Sequence, residues 1–370
     1  MDLRELFTPN AISANWQEVA SNQIPYLGEG LFTARKKAGL DLRWIKGAKG
    51  LPISLMPSAF DAKATFRDRI GIETLETEMP FFREGFKLKE RDRQDLLRIS
   101  ETADPYAADV IARVYDDANE LIKAADVVAE RERMQLLFPV DGNLGISIVA
   151  NGVDYTYNYD PDGAWKATNY FEVSDADEAW DSSLTADPFA DIQNARAAVQ
   201  AATGNAPAIA IMNNNTFQIL AKTQAVKERA LRSNQFTFGT LTSAEVKNAV
   251  QDAAEVQVIV YDKMYRDENK VAHRFVPDGY VALVPAGALG NTYYGTTPEE
   301  ADLMGSNAGD VTIVNTGVAV TRIVDPHPVN VNIFASEIVL PSYERMDEVA
   351  VLKVLMDSEG GSDDQEGSGN

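Results

Sequence analysis

Between Ile111 and Val128, apolar residues recur at steps of three and four: Ile111, Val114, Tyr115, Ala118, Leu121, Ile122, Ala125 and Val128. That spacing places them on one face of an α-helix. Asp109, Arg113, Asp116, Asp117, Glu120, Lys123 and Glu130 fill the remaining positions. Asp104 is placed to cap the N-terminus, Pro105 to open the first turn and Pro139 to stop the last. The pattern predicts a helix over 106–138, roughly 50 Å long at about 1.5 Å per residue. A helix of that length is a spine, not part of a compact active site.

Elsewhere the period shortens. Residues 145–150 and 153–159 flank Asn151-Gly152, the favoured type I′ turn, and predict a hairpin. Pro188 opens a helix to 202 that Gly204 ends; 214–221 and 242–254 are also helical. Strands are expected at 208–212, 256–261, 274–277, 280–285, 311–314, 319–323, 329–334 and 348–355. Residues 1–30 are broken by Pro9, Pro25, Gly28 and Gly30, and read as an extended arm with one short helix near 15–20. There is no internal repeat, and the element order is α+β.

Residues 31–93 fit neither pattern well. Strand-like runs at 40–46 and 51–56 flank Gly47-Ala48-Lys49-Gly50, where glycine tolerates positive φ. A two-stranded hairpin standing alone is marginal in water. Pro52, Pro57, Pro80 and frequent charges deny this segment a core of its own. Burial supplied by neighbouring subunits would answer the deficit, which points to an assembly component.

Composition narrows the function. Hydrophobic residues make up 45% of 370, and charged residues 24%, enough for two lobes or one large domain. Cysteine is absent, which excludes disulfides and thiolate chemistry. No run reaches membrane-spanning length, and the N-terminus lacks signal-peptide order. A formal charge of −22 opposes general affinity for nucleic acid. Five acidic groups fall in 357–370, which reads as a disordered tail. Residues 35–49 are locally basic, suited to a solvated face or to an acidic neighbouring subunit.

Candidate chemistry is sparse. His273 and His327 are the only histidines, and neither has a histidine partner at ligand spacing. Glu73, Glu76 and Glu78, or Asp116 with Asp117, are carboxylate pairs expected by chance among 56 acidic residues. Asp262–Glu268 lacks the central glycine and spacing of a calcium loop, and reads as a charged hairpin turn. Phosphate-binding glycine loops and nucleophile elbows are missing. No catalytic residue, cofactor or metal is expected.

Two segments resemble a known family. The run VIVYDKMYRDENKVAHRFVPDGYVALVPAGALGNTYYG, at 258–295, with Tyr261, Tyr265 and Phe275-Val276-Pro277-Asp278, resembles the lambda-like phage major capsid proteins of the E family. Residues 31–97, with Pro57-Ser58-Ala59-Phe60-Asp61-Ala62 and Pro80-Phe81-Phe82-Arg83-Glu84, resemble the extended-loop region of the same proteins. The resemblance implies an HK97-like fold: an N-terminal arm at 1–30, an extended loop at 31–95, a peripheral domain at 96–187 with the spine at 105–138, an axial domain at 188–322, a C-terminal return to the peripheral domain at 323–356, and the acidic tail at 357–370. It implies hexamers and pentamers of an icosahedral virion shell around double-stranded DNA, bound without sequence specificity, and assembly in the host cytoplasm. Partners would be the chain itself, a separate scaffold, a portal and decoration proteins. The arm begins so near Met1 that no scaffolding domain is expected ahead of it.

In this scheme Arg43, Trp44, Lys46, Lys49, Leu51 and Phe60 make intersubunit contacts. Deleting 43–54 should then leave the core folded and abolish shells. Lys46, Lys49 and Lys63 are read as exposed rather than as crosslinking residues. An encapsulin-like compartment shell, or an acidic enzyme with an unrecognised site, are the competing readings.

Overall fold

The computed structural model describes residues 7–21, 23–45, 74–91, 94, 106–150, 152–233, 241–306, 309–327 and 329–356. The chain opens with helix α1 (Pro9–Ala20), α2 (Leu27–Leu31) and strands β1 (Phe32–Lys36) and β2 (Asp41–Ile45). After β3 (Thr74–Glu78) and β4 (Phe81–Leu88) comes the spine, α3 (Tyr106–Leu137). The hairpin β5 (Gly145–Ala150) and β6 (Val153–Asn158) leads to α4 (Ala164–Asn169) and β7 (Tyr170–Glu172). Then follow α5 (Pro188–Thr203), β8 (Ile209–Met212), α6 (Asn214–Lys222), α7 (Gln224–Ser233), α8 (Ser243–Ala254) and β9 (Gln257–Val260). Strands β10 (Met264–Arg266), β11 (Ala272–Arg274), β12 (Tyr280–Val284), β13 (Gly290–Tyr294), β14 (Asp310–Val314), β15 (Val318–Pro326), β16 (Val329–Ser342) and β17 (Ala350–Lys353) complete the described chain.

Two sheets organise these elements. In the first, ordered β1-β13-β16-β15-β14, the 14-residue β16 is the central member. Its first half runs between β15 and β4, with Val331 opposite Leu88 and Ile338 opposite Phe81, and its end pairs with β13. In the second sheet the order is β7-β17-β12-β8-β9. There Ala210, Met212, Val281, Leu283, Ala350 and Leu352 face a core shared with Ile192 and Val199 of α5 and Val246 and Val250 of α8. The alternate residues Ile211, Ala282, Val284 and Val351 face the largest core, with Met134, Leu136 and Leu137 of the spine. Burial on both faces explains why these strands are continuously apolar rather than alternating.

Sequence periodicity located the spine, the β5–β6 hairpin, α5 with its left-handed Gly204 cap, and α8, which the structure shows to begin with a Thr242–Glu245 capping box. Other expectations are corrected. The strand at 41–45 pairs with Thr74–Glu78; the connection at 47–50 and the second run at 51–56 lie outside the described residues, as do Asp104 and Pro105. Residues 9–20 are not an extended arm. Thr8 accepts from the Ala11 N–H, Pro9 sits where a missing N–H costs nothing, and Ile12 and Trp16 are buried beside Val314, Val320 and Ile122. Proline read as a breaker here is a helix starter.

The expected division at Arg322 also cuts across the sheets. Arg322 lies inside β15, and β14 and β15 both belong in the sheet of β16, whereas Ala350–Lys353 pairs with β12 and β7 in the second sheet. A strand joins the sheet whose edge it can satisfy, whatever its place in the chain. Buried Lys353 fixes that arrangement, reaching Asp141 at 2.9 Å and Glu172 at 3.1 Å. Those contacts draw the Asp141 carboxyl below its ordinary range, led by the Lys353 hydrogen bond.

Candidate assembly interface

The ribbon of β2 and β3 leaves the body next to the β5–β6 hairpin. Side chains alternate along a strand, and Leu42 and Trp44 turn inward, with Trp44 5% exposed and 5.3 Å from the Tyr159 ring. Arg43 takes the opposite, exposed face. The ribbon base is tied down by the Met79 N–H donating to the Leu40 carbonyl at 2.9 Å and the Tyr157 hydroxyl donating to the Glu78 carbonyl at 2.9 Å. Trp44 was expected to contact a neighbouring subunit; it packs within its own, because its strand parity matches Leu42. Lys46, Lys49, Leu51 and Phe60 lie outside the described residues.

Beside the ribbon base, α3, β4, the β5–β6 hairpin and β16 bound a cleft of about 500 Å³. Phe81, Phe82, Leu121, Val128, Ile148 and Val153 give it apolar walls. Val153 on the hairpin is 45% exposed at the rim, whereas Val149, 63% exposed, has the opposite parity and lies on the other face of the hairpin. Arg83, Glu84 and Glu268 bring charge to the same opening, and Glu337 of β16 forms part of the lining.

The spine beneath this cleft carries Glu130, Glu132 and Arg133, all at most 2% exposed. Glu130 accepts from the Gly28 N–H at 3.0 Å and from the Tyr261 hydroxyl at 2.8 Å. Arg133 donates to the Thr292 hydroxyl at 2.9 Å and the Tyr294 hydroxyl at 3.2 Å, and pairs with Glu130 at 3.4 Å. This network joins the N-terminal turn, the spine and both sheets. By contrast, none of the four carboxylate oxygens of Glu132 and Glu337 has a hydrogen-bond partner. Burial pushes both carboxyls well above the usual range, and the charge of Glu337 adds to the effect on Glu132. Asp126, one turn away, is raised to about 6, mainly by burial and then by Glu29, against the lowering effect of the Asn315 amide. Glu130, Glu132 and Arg133 belong to a charged run, Glu130-Arg131-Glu132-Arg133, that reads in sequence as a solvated face.

The remaining sequence candidates stay dispersed. His273 is on the exposed β10–β11 hairpin, 3.0 Å from Asp267, which explains 262–268 as a charged turn. Among the described residues no group of three or more His, Asp or Glu is placed to hold a metal, and no helix is long and apolar enough to cross a membrane.

A long spine under a sheet built on one extended C-terminal strand, a second sheet flanked by helices, and a projecting ribbon define the HK97-like capsid fold. A prophage capsid protein of Escherichia coli CFT073 is 14% identical, with a TM-score of 0.57 over 94% of this chain and 99% of that one. A phage-related protein of Bordetella bronchiseptica RB50 is 14% identical, with a TM-score of 0.55 over 94% and 96%. The cyanophage A-1(L) capsid is 12% identical, with a TM-score of 0.50 over 89% and 92%. No curated protein matches the sequence. Residues 8–354 match the family model of phage major capsid protein E, and the chain belongs to that family. It is a phage or prophage major capsid protein, with a structural role.

Proposed function

We propose that the chain closes into hexamers and pentamers of an icosahedral virion shell enclosing packaged double-stranded DNA. The match of residues 8–354 to the family carries this reading. The subunit's role is mechanical rather than catalytic, and its partners are further copies of itself, a separate scaffold and a portal, met in the host cytoplasm. A net charge of −22 supports a shell that holds duplex DNA without adhering to it, because phosphate neutralisation needs clustered Lys and Arg. The ribbon of β2 and β3 supports contacts beyond the subunit, since its two strands are joined through the 28 residues of 46–73, which carry five basic side chains in an otherwise acidic chain.

Size-exclusion chromatography with negative-stain microscopy tests the reading directly. Rings of five and six or closed shells are expected. A stable monomer at all concentrations and ionic strengths would overturn it.

A further inference from the structure

We infer that the cleft between α3, β4, the β5–β6 hairpin and β16 binds a short aliphatic diamine, with one ammonium on the Glu337 carboxylate at its floor and the other on Glu84 at its mouth. This goes beyond shell formation, because it concerns a small ligand of the single subunit. β16 faces the spine with Ala335, Glu337 and Val339: Ala335 packs with Ala125, and Val339 with Ala129. Strand alternation therefore aims Glu337 at the spine side, into the cleft that it lines. It is 1% exposed, and neither of its oxygens has a hydrogen-bond partner. An isolated buried carboxylate is strongly disfavoured, so the free subunit holds it protonated. The nearby described cations are already engaged: Arg133 by Glu130, Thr292 and Tyr294, Arg131 by Glu268, and Arg83 by Glu299.

The strand register supplies the second anchor. Glu337 lies opposite Phe82 and Ala335 opposite Glu84, so Glu84 is the diagonal neighbour of Glu337 on the same face. Diagonal neighbours on paired strands lie roughly 7–8 Å apart, a distance that about four or five methylenes between two ammonium groups can span. Phe82, Leu121 and Val128 wall the space between the two carboxylates with apolar surface that suits the methylenes. A cleft of about 500 Å³ is within the range of small-ligand sites. The same walls disfavour a hydrated metal ion, which needs further oxygens around it, and the described residues place no group of three metal ligands.

The titratable and charged surroundings of Glu337 are Asp126, Glu130, Arg131, Glu132 and Arg133 from α3, Tyr294 from β13, Arg83 and Glu84 from β4, Tyr155 from the hairpin, and Glu268 at the rim. Carboxylates outnumber cations there, which favours an incoming positive charge. When the ammonium docks, the Glu337 carboxyl releases its proton to solvent, and an ion pair replaces the neutral acid. Because the complex holds one proton fewer than the free subunit, affinity rises with pH, by up to about tenfold per unit. The ligand itself stays doubly charged near neutral pH, since alkylammonium groups titrate far above it.

Isothermal titration calorimetry on the full-length subunit, from about pH 6 to pH 8, tests the site with three probes: diaminobutane with an amine at each end, butylamine and butanediol. The diamine is expected to bind most tightly and the diol not at all. Butylamine should bind about two- to fivefold more weakly than the diamine, the difference an exposed ion pair makes. Glu84→Gln should bring the diamine down to the monoamine and leave the monoamine unchanged. Glu337→Gln should weaken both amines about 10- to 100-fold in the alkaline half of the range and remove the pH dependence. Titrations in two buffers of different ionisation enthalpy should show one proton released per ligand by the wild type. If Glu337→Gln does not fold, that proton release and the Glu84→Gln result carry the test. No diamine binding, binding without proton release, or a Glu337→Gln variant that keeps both its near-ultraviolet circular dichroism and wild-type affinity overturns the site. A monoamine that binds as tightly as the diamine overturns the anchor at Glu84.

Discussion

Glu130 and Glu132 lie two residues apart on the spine and have opposite environments. Glu130 is surrounded by donors from Gly28, Tyr261 and Arg133, whereas Glu132 has none. Removing the Arg133 guanidinium would strand a buried carboxylate, a change that costs about 3–5 kcal/mol where it has been measured in other proteins. For Glu132 the sign is reversed. Its folded pKa is raised above the ordinary 4.5, so the fold keeps a proton that the unfolded chain releases. Stability is therefore full below about 4.5 and falls as pH rises toward the elevated folded value, by up to about 1.4 kcal/mol per unit. Glu132→Gln keeps the shape and abolishes that titration. Its guanidinium denaturation midpoint should exceed the wild type's by a margin that widens from about pH 5 to pH 8; a constant margin would contradict the assignment. Neither environment is visible in sequence, because a Glu-Arg-Glu-Arg run looks the same whether water or two sheets surround it.

Among the elements, β16 makes most of the connections, and its partners differ along its length. Where β13 meets its end, Gly290 leaves no room: a Cβ there would collide with the Ser342 carbonyl and approach the Glu344 carboxylate at 2.7 Å. Gly290→Val should cost roughly 1–3 kcal/mol by overpacking and lower the thermal midpoint by several degrees. An unchanged midpoint in scanning calorimetry would show that β13 and β16 can separate there without penalty. Sequence reading found 329–334 but not the strand's full extent to Ser342, since Glu337 and Pro341 interrupt its apolar character. β1 and α2 were missed for a related reason. Their residues are charged or glycine-rich, and tertiary neighbours rather than local propensity set their conformation. In the second sheet β8, β9, β12 and β17 were legible because burial gave them apolar runs, whereas the three-residue β7 was not.

At the scale of the molecule, the class was legible through a resemblance of two segments to capsid proteins, which the family match over residues 8–354 bears out. The candidate contact residues were less legible. Parity along β2 decides that Trp44 belongs to the subunit's own core and Arg43 to its surface, and parity cannot be fixed until the strand's partner is known. That partner, β3, lies beyond a long intervening segment. The correction changes the experiment as well. Deleting 43–54 would remove Trp44 and damage the core. Replacing residues 47–72 with a short Gly-Ser linker keeps β2 and β3 paired. That variant should retain the wild-type near-ultraviolet circular dichroism and fail to form stable shells under electron microscopy. Normal shells from it would contradict an intersubunit role for the segment.

The position of β17 has a consequence for synthesis. This strand lies inside the second sheet, between β7 and β12, although it is the last described strand to leave the ribosome. Until residues 350–353 emerge, β12 has an open edge and β7, whose pairing in that sheet is to β17, has no place in it. A chain arrested before Ala350 cannot complete the sheet, however well its earlier parts have formed. Residues 350–353 must therefore be made before the second sheet is whole, and a chain terminated ahead of Ala350 lacks the strand that joins β7 to β12.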